Sequence, residues 1–319
     1  MRRAALVDVT VMICTWNNCR RLRDTLEAVT ASAPAMASWQ LVVVNNNSTD
    51  ETDATVARYG SRLPIVLAHE RRPGLSKARN RGLAVSTGSL LVFTDDDVAP
   101  VRGWIDTYWN AFRAHPRSYF GGPVRSRFDG RPPDPRLVPF APPSVVGLDL
   151  GTAVRPPSDE EYFIGANWAC PRQYLDLVGG FDETRGLDPS SGAVKVGEEA
   201  DLMRRLRQAG ISGLYLPDAG VEHHVPSAKC TVTHIGRRLE ASAYDDYWNL
   251  PPANVARLFG YPRWLVPRLA RAAGTAGWRR LTGGDWIRPY MEFRSTLGKM
   301  RAQRDLGPPP LAVPGRTSD

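Results

Sequence analysis

Short apolar runs alternate with amphipathic segments through the first hundred residues, and nothing else in the chain restricts its fold as strongly. Val9–Cys14 reads as a buried strand, and Arg20–Ala31 sets Leu22, Leu26 and Val29 on one helical face. Leu41–Val44 is a second strand, too uniformly apolar to have a wet face. Ser48 and Glu51 have the spacing of a capping box, which predicts a helix running to about Tyr59. A strand at Pro64–Ala68, a helix at Leu75–Ser86 and a strand at Leu90–Thr94 continue the pattern. Strands and helices alternating this tightly form βαβ units. The expected class is therefore α/β, with a mostly parallel, Rossmann-like central sheet and helices on both faces.

A sheet of this kind takes its ligands beyond the carboxyl ends of its strands. The residues after the first, second and fourth strands are Thr15-Trp16-Asn17, Asn45-Asn46-Asn47-Ser48 and Asp95-Asp96-Asp97, all polar. Farther along, Gly103–His115 reads as a helix and the proline-rich stretch 129–160 as a long loop, either functional or disordered. Regular structure resumes at Tyr162–Cys170 and in a helix at Arg172–Val178 that ends on Gly179-Gly180. Another helix, Glu198–Gln208, stops at Gly210, and short strands follow at Leu214–Pro217 and Val221–Val225. Helices rich in Arg and Trp begin near Ile235, and a proline-rich tail expected to be disordered begins at Gly307. The expected division is a catalytic domain over 1–234, a basic helical extension over 235–306 and a tail over 307–319.

The formal net charge of +8 is unevenly placed. Residues 1–235 carry 27 Lys/Arg against 26 Asp/Glu, whereas 236–305 carry 13 against 6. Basicity confined to the C-terminal quarter argues against a nucleic-acid partner, whose groove would carry it instead. The four cysteines, Cys14, Cys19, Cys170 and Cys230, include no Cys-x-x-Cys, so neither a zinc site nor a disulfide framework is expected. No apolar run approaches the ~20 residues of a membrane span. The basic start at Arg2-Arg3 is followed by an apolar stretch broken at Asp8, unlike a cleaved export signal. A cytoplasmic setting is expected.

Three groups carry the chemistry. Asp95, Asp96 and Asp97 repel one another unless they face water or a cation, and Mg²⁺ and Mn²⁺ take such oxygen ligands together with substrate phosphates. A solvated turn entering Pro100 is the plainer alternative. Glu198, Glu199 and Asp201 open a helix, where dipole stabilisation alone would also account for them. His223 and His224 are neighbours on a strand, so at most one reaches any given site, and imidazole suits Mn²⁺ where carboxylates supply the other ligands.

The motifs Val11–Asn17, Val42–Asp50, Gly74–Gly82, Phe93–Val98, Val178–Asp182 and Gly197–Leu202 follow one another in an order that resembles the family 2 glycosyltransferases of GT-A fold. The resemblance covers about residues 8–230. It implies an inverting transfer of sugar from a nucleoside-diphosphate sugar to an acceptor hydroxyl. Thr15, Trp16, Asn17, Asn45 and Asn47 would hold the nucleotide, with Asp96 beside them. The Asp-x-Asp motif maps to Asp95, near the ribose, and to Asp97, which would bind the Mn²⁺ or Mg²⁺ bridging the diphosphate. His223 maps to a further metal ligand. Glu198-Glu199 maps to the family's Glu-Asp pair, with Glu199 as catalytic base. Trp168, at the end of the Gly165–Trp168 segment, and Asp201 would border the acceptor, although a core tryptophan is an equal alternative. Arg79 either reaches the donor or is a surface arginine of its helix.

Three departures from the family pattern matter. Asn45 stands where an Asp is usual, and its carbonyl still accepts from a uracil or thymine N3–H, leaving UDP-, dTDP- and GDP-sugars all open as donors. Cys14 and Trp16 replace a Pro and a Tyr, the indole keeping a stacking face. Glu199 is one methylene longer than the usual base. A catalytically silent nucleotide-sugar-binding scaffold and a sugar nucleotidyltransferase are the rival readings; the latter wants a Gly-rich basic loop that Thr15-Trp16-Asn17-Asn18 does not provide. In the extension, residues 261–280 combine Trp, Leu and Arg, which suits an anionic membrane surface, a dimer contact or packing on the catalytic domain. A membrane contact would favour a lipid-linked or membrane-proximal acceptor, within the wider expectation of a glycan, a glycolipid or a small molecule.

Overall fold

The computed structural model describes residues 6–187, 196–246 and 255–308; the tail beyond 308 lies outside them. These residues form two compact units. The first comprises 6–129, 143–187 and 197–225, and the second comprises 130–142, residue 196 and the described residues from 226 on.

The first unit is built on a seven-stranded sheet in the order β3-β2-β1-β4-β8-β6-β9. Its parallel half is β1 (Val7–Thr15), β2 (Trp39–Asn45), β3 (Ile65–His69) and β4 (Gly88–Asp95). These strands are joined by α1 (Cys19–Ala31), α2 (Thr52–Ala57) and α3 (Leu75–Val85). Val11, Ile13, Leu41, Val43, Leu90 and Val92 are inaccessible to solvent and share one core with Leu22, Leu26 and Val29 of α1. Strand residues of the opposite parity, Met12, Leu91 and Phe93, pack into a second core on the other face. Both faces are therefore dry, which is why these strands read as unbroken apolar runs.

After a short β5 (Val98–Pro100) and α4 (Trp104–Ala114) come β6 (Ser118–Gly121), β7 (Val124–Phe128), a short α5 (Pro143–Val146), β8 (Trp168–Pro171) and α6 (Arg172–Val178). α7 (Glu198–Gln208), β9 (Ser212–Tyr215) and β10 (Val221–Val225) complete the unit. β8 runs antiparallel to β4 and β6, so the sheet is mixed at one side. A small second sheet, β5-β10-β7, carries β10 alongside the residues that follow β4.

The helix expected from Ser48 and Glu51 is shorter than predicted, and its capping box does not form. The Ser48 hydroxyl instead accepts from the Asn17 amide at 3.0 Å, and Asp50 caps the turn through Thr52. The loop between β1 and α1 has captured the capping group.

In the second unit, α8 (Val232–Asp245) packs against α10 (Ile287–Leu306) around Leu137, Ile235, Ile287 and Met291. The helices approach so closely that a side chain at Gly298 would meet the Glu240 carbonyl oxygen at 2.2 Å. Glu240 is buried between Arg294, at 2.6 Å, and Arg301. A two-strand hairpin, β11 (Arg257–Leu258) and β12 (Tyr261–Pro262), leads into α9 (Leu265–Leu281). Among the described residues no helix is long and apolar enough to cross a membrane.

Candidate active site

Parallel register brings the strand ends into line. Thr15 pairs with Asn45, Asn45 with His69, and Cys14 with Asp95, so the polar residues after β1, β2, β3 and β4 share one edge of the sheet. The loops there are knitted together. The Asn17 carboxamide oxygen accepts from the Thr49 amide at 2.7 Å, and Asn17 and Asn47 both adopt positive φ, 49° and 62°, which Asn tolerates better than most residues. The Trp16 ring stands 48% exposed above this edge.

Asn45 has a hydrogen bond on each side of its amide. It is buried, donating through Nδ2 to Asp53 at 2.7 Å and accepting through Oδ1 from the Ser48 amide at 2.8 Å. The Asp53 carboxylate in turn bonds the His69 ring at 2.9 Å, and the Asn45 hydrogen bond, ahead of His69, holds its pKa below the ordinary value. A cleft of about 370 Å³ opens here, lined by Asn45, Asn47, Ser48, Asp53, His69 and Arg71. Asp53 and His69 are among the polar groups presented to it, each with its side chain 53% exposed. Asp53 and His69 were not anticipated from the sequence. The signal was available, since β3 ends on the same edge as β1, β2 and β4.

The three aspartates after β4 diverge. Asp96 turns inward, taking hydrogen bonds from Thr15 Oγ1 at 2.6 Å and Asn18 Nδ2 at 2.7 Å. Burial, reinforced by the charge of Asp97, pushes its pKa up to about 7. It is thus tied to the β1 loop, as is Thr15, whose hydroxyl is spent on it. Asp97 points to β10, where its Oδ1 lies 3.2 Å from His223 Nε2. The antiparallel register of β5 and β10, His223 opposite Val98, fixes this approach, and the His224 amide donates to the Asp97 carbonyl at 2.9 Å. His223 is buried, its Nδ1 without a hydrogen-bond partner among the described residues. His224 faces the other way, to Asp129.

Among the described residues no three His, Cys, Asp or Glu side chains are already gathered as a cation cage. The Asp97–His223 pair nonetheless fits a Mg²⁺- or Mn²⁺-type ion: two adjacent donors about 2.1 Å from an octahedral cation lie about 3 Å apart. Such ions keep several positions for water and phosphate oxygens, so two protein ligands suffice.

Arg79 forms the second focus. It is buried, so the surface-arginine alternative is excluded. Its guanidinium lies 2.8 Å from Glu199, 3.2 Å from Glu198 and 3.9 Å from Asp95, and it stacks over Phe181 at 5.2 Å. Glu198 is also buried. Desolvation, then the charge of Glu199, raise its pKa to about 8, and a hydrogen bond to Glu199 acts in the same sense against the opposing pull of Arg79. Gly197, at φ 85°, starts α7 with these two glutamates in its first turn. The arrangement also needs Gly165, where a Cβ would stand 2.0 Å from Glu199 Oε1 and 2.5 Å from an Arg79 nitrogen.

Two acceptor-side expectations are corrected. Trp168 is fully buried on β8, stacked on Phe93 at 4.4 Å, so it is a core residue and touches no acceptor. Its neighbour Asn167 is likewise buried, receiving the Trp104 and Tyr108 hydrogen bonds, and only the Gly165 end of that segment reaches the site. The Asp201 carboxylate is only 9% exposed and bound by Arg204 at 2.5 Å and Arg205 at 2.9 Å, which anchors α7 instead of presenting a group to solvent.

A mixed α/β sheet with an acidic turn after its fourth strand and a helix opening on two glutamates is the framework of a GT-A glycosyltransferase. Solved structures share it. A mannosyltransferase from Pyrobaculum calidifontis, solved with GDP-Man and Mn²⁺, aligns with a TM-score of 0.58 at 21% identity over 94% of this chain and 87% of that one. Staphylococcus aureus TarS, residues 1–349 with UDP-GlcNAc, aligns at 0.56 and 13% identity over 92% and 91%. In sequence, residues 10–176 match glycosyl transferase family 2, and the chain belongs to that family. A pre-mycofactocin glycosyltransferase of Mycobacterium tuberculosis is 33% identical over 68% of this chain, a match spanning 42% of that relative's length. A glucosyl-dolichyl phosphate glucuronosyltransferase of Haloferax volcanii is 26% identical over 68% of this chain and 69% of its own.

Proposed function

We propose that this glycosyltransferase moves a sugar from a nucleoside-diphosphate sugar to an acceptor hydroxyl with inversion at the anomeric carbon. The observation that carries the reading is the Arg79–Glu199 pair, next to Asp95 and on the same sheet edge as Asp97–His223. Trp16 offers a face for the base, and the Asp53–His69 pair reads its edge, returning the carboxylate that Asn45 lacks. Asp95 approaches the ribose. Asp97 and His223 would hold a Mn²⁺ or Mg²⁺ ion, which when bound would offset charge on the leaving diphosphate.

Glu199 takes the acceptor proton. The hydroxyl oxygen forms its bond to the anomeric carbon as the bond to the diphosphate oxygen breaks, and the nucleoside diphosphate leaves with that electron pair. Arg79 positions Glu199, and Glu198, with its raised pKa, holds a proton against the pair. Residues 261–280 belong to the same proposal as a membrane-facing element, keeping the enzyme near a lipid-borne or membrane-proximal acceptor.

The experiment is Glu199→Gln. Transfer is expected to fall by roughly 10²–10⁴-fold while nucleotide affinity is kept. Full turnover by the variant would remove Glu199 as base.

A further inference from the structure

The second unit exposes a surface that its own packing does not account for. α9 buries Leu265, Ala272 and Ala276, which share one face. Its opposite face carries Pro267, Ala270, Gly274, Trp278 and Leu281, all exposed, with Trp278 at 68% and Leu281 at 86%. A surface helix ordinarily places charge there. The hairpin just before it adds a second anomaly. Its turn is Phe259-Gly260, both with positive φ, 51° and 82°, and Phe259 is 82% exposed. A bulky aromatic in left-handed backbone costs free energy.

Charge narrows the partner. Residues 257–281 contain six arginines and no Asp or Glu. Arg263 and Arg271 are exposed, and their guanidinium groups have no partner among the described residues. A second copy meeting this patch by two-fold symmetry would set arginine against arginine. Exposed Leu and Phe beside Trp and Arg instead match the boundary between phosphate headgroups and acyl chains.

We propose that this surface seats on a bilayer containing anionic lipids, with Phe259, Trp278 and Leu281 entering the headgroup–acyl boundary and Arg263 and Arg271 facing lipid phosphates. The inference rests on the membrane-facing reading of 261–280 and gives it a face and a ligand chemistry. It is separable from the transfer chemistry, because vesicle binding requires neither donor nor acceptor.

The test is co-sedimentation of the full chain with vesicles of phosphatidylcholine alone or with about one-third phosphatidylglycerol, at low and high salt. Wild-type protein is expected to bind the anionic vesicles at least roughly tenfold more tightly, and less so at high salt. The triple variant Phe259→Asn, Trp278→Ala, Leu281→Ser, all at exposed positions, should lose roughly tenfold or more in vesicle affinity with unchanged thermal unfolding and nucleotide binding. Arg263→Gln with Arg271→Gln should weaken binding chiefly at low salt. Equal partition into both vesicle types, no partition at all, or full binding by the triple variant would overturn the proposal. So would a concentration-dependent dimer that the triple variant abolishes, which would give the patch to a second copy. Vesicle binding by a protein that binds no nucleotide would sink the transferase chemistry and leave this surface standing.

Discussion

Arg79 and the arginines of the C-terminal unit show one residue type put to opposite uses. Arg79 is buried among Glu198, Glu199 and Asp95, all within 3.9 Å. The six arginines of 257–281 sit in a stretch with no carboxylate at all, and two of them are exposed, their guanidinium groups without a partner among the described residues. A guanidinium removed from water must be neutralised by its neighbours, so its environment describes the inside of a site. A guanidinium left in water without an acid beside it is available for a partner, so its environment describes what the surface meets. Burial, rather than residue count, tells the two apart.

The largest effect should come from breaking the buried set. Arg79→Ala leaves carboxylates without their cation and should cost about 3–5 kcal/mol, read from urea unfolding at neutral pH. A loss below about 1 kcal/mol would show that water already screens the cluster. At the opposite extreme, Arg271→Ser should stay within about 0.5 kcal/mol of wild type in the same assay. A larger loss there would mean that this arginine is structural after all, and the contrast would collapse.

Between these lies a pH effect. The Glu198 pKa is raised in the folded protein from an ordinary 4.5 to about 8, so the native state keeps a proton that the unfolded chain releases. Its contribution is fully present below about 4.5 and is lost as pH rises toward about 8. Glu198→Gln should therefore gain thermal stability relative to wild type between pH 5 and pH 8. Parallel melting profiles for the two proteins would contradict the assignment.

Much of this architecture was legible in the residue order. The apolar runs of β1, β2 and β4 are buried on both faces, so their sequence carried the signal without help from tertiary context. The acidic turn after β4 was equally visible. Other features depended on pairing partners that sequence does not name. Ser48 looked like a helix cap until the Asn17 amide claimed it. Trp168 could be read equally as an acceptor wall or a core residue, because which side of a strand faces a site depends on register. Arg79 could not be told from a surface arginine, since its three carboxylates come from β4 and α7. His69 was readable as the residue after the third strand, whereas Asp53, a first-turn Asp of α2, carries no signal until β3 aligns with β2.

The measurement that bears most directly on the account is calorimetric titration of UDP, GDP and dTDP into the protein with Mn²⁺ and then with chelator, repeated on Asp97→Ala. Tight binding of one nucleotide is expected, dependent on the metal in wild type and lost in the variant. Binding that is indifferent both to chelator and to Asp97→Ala, or no binding of any of the three, would contradict that expectation.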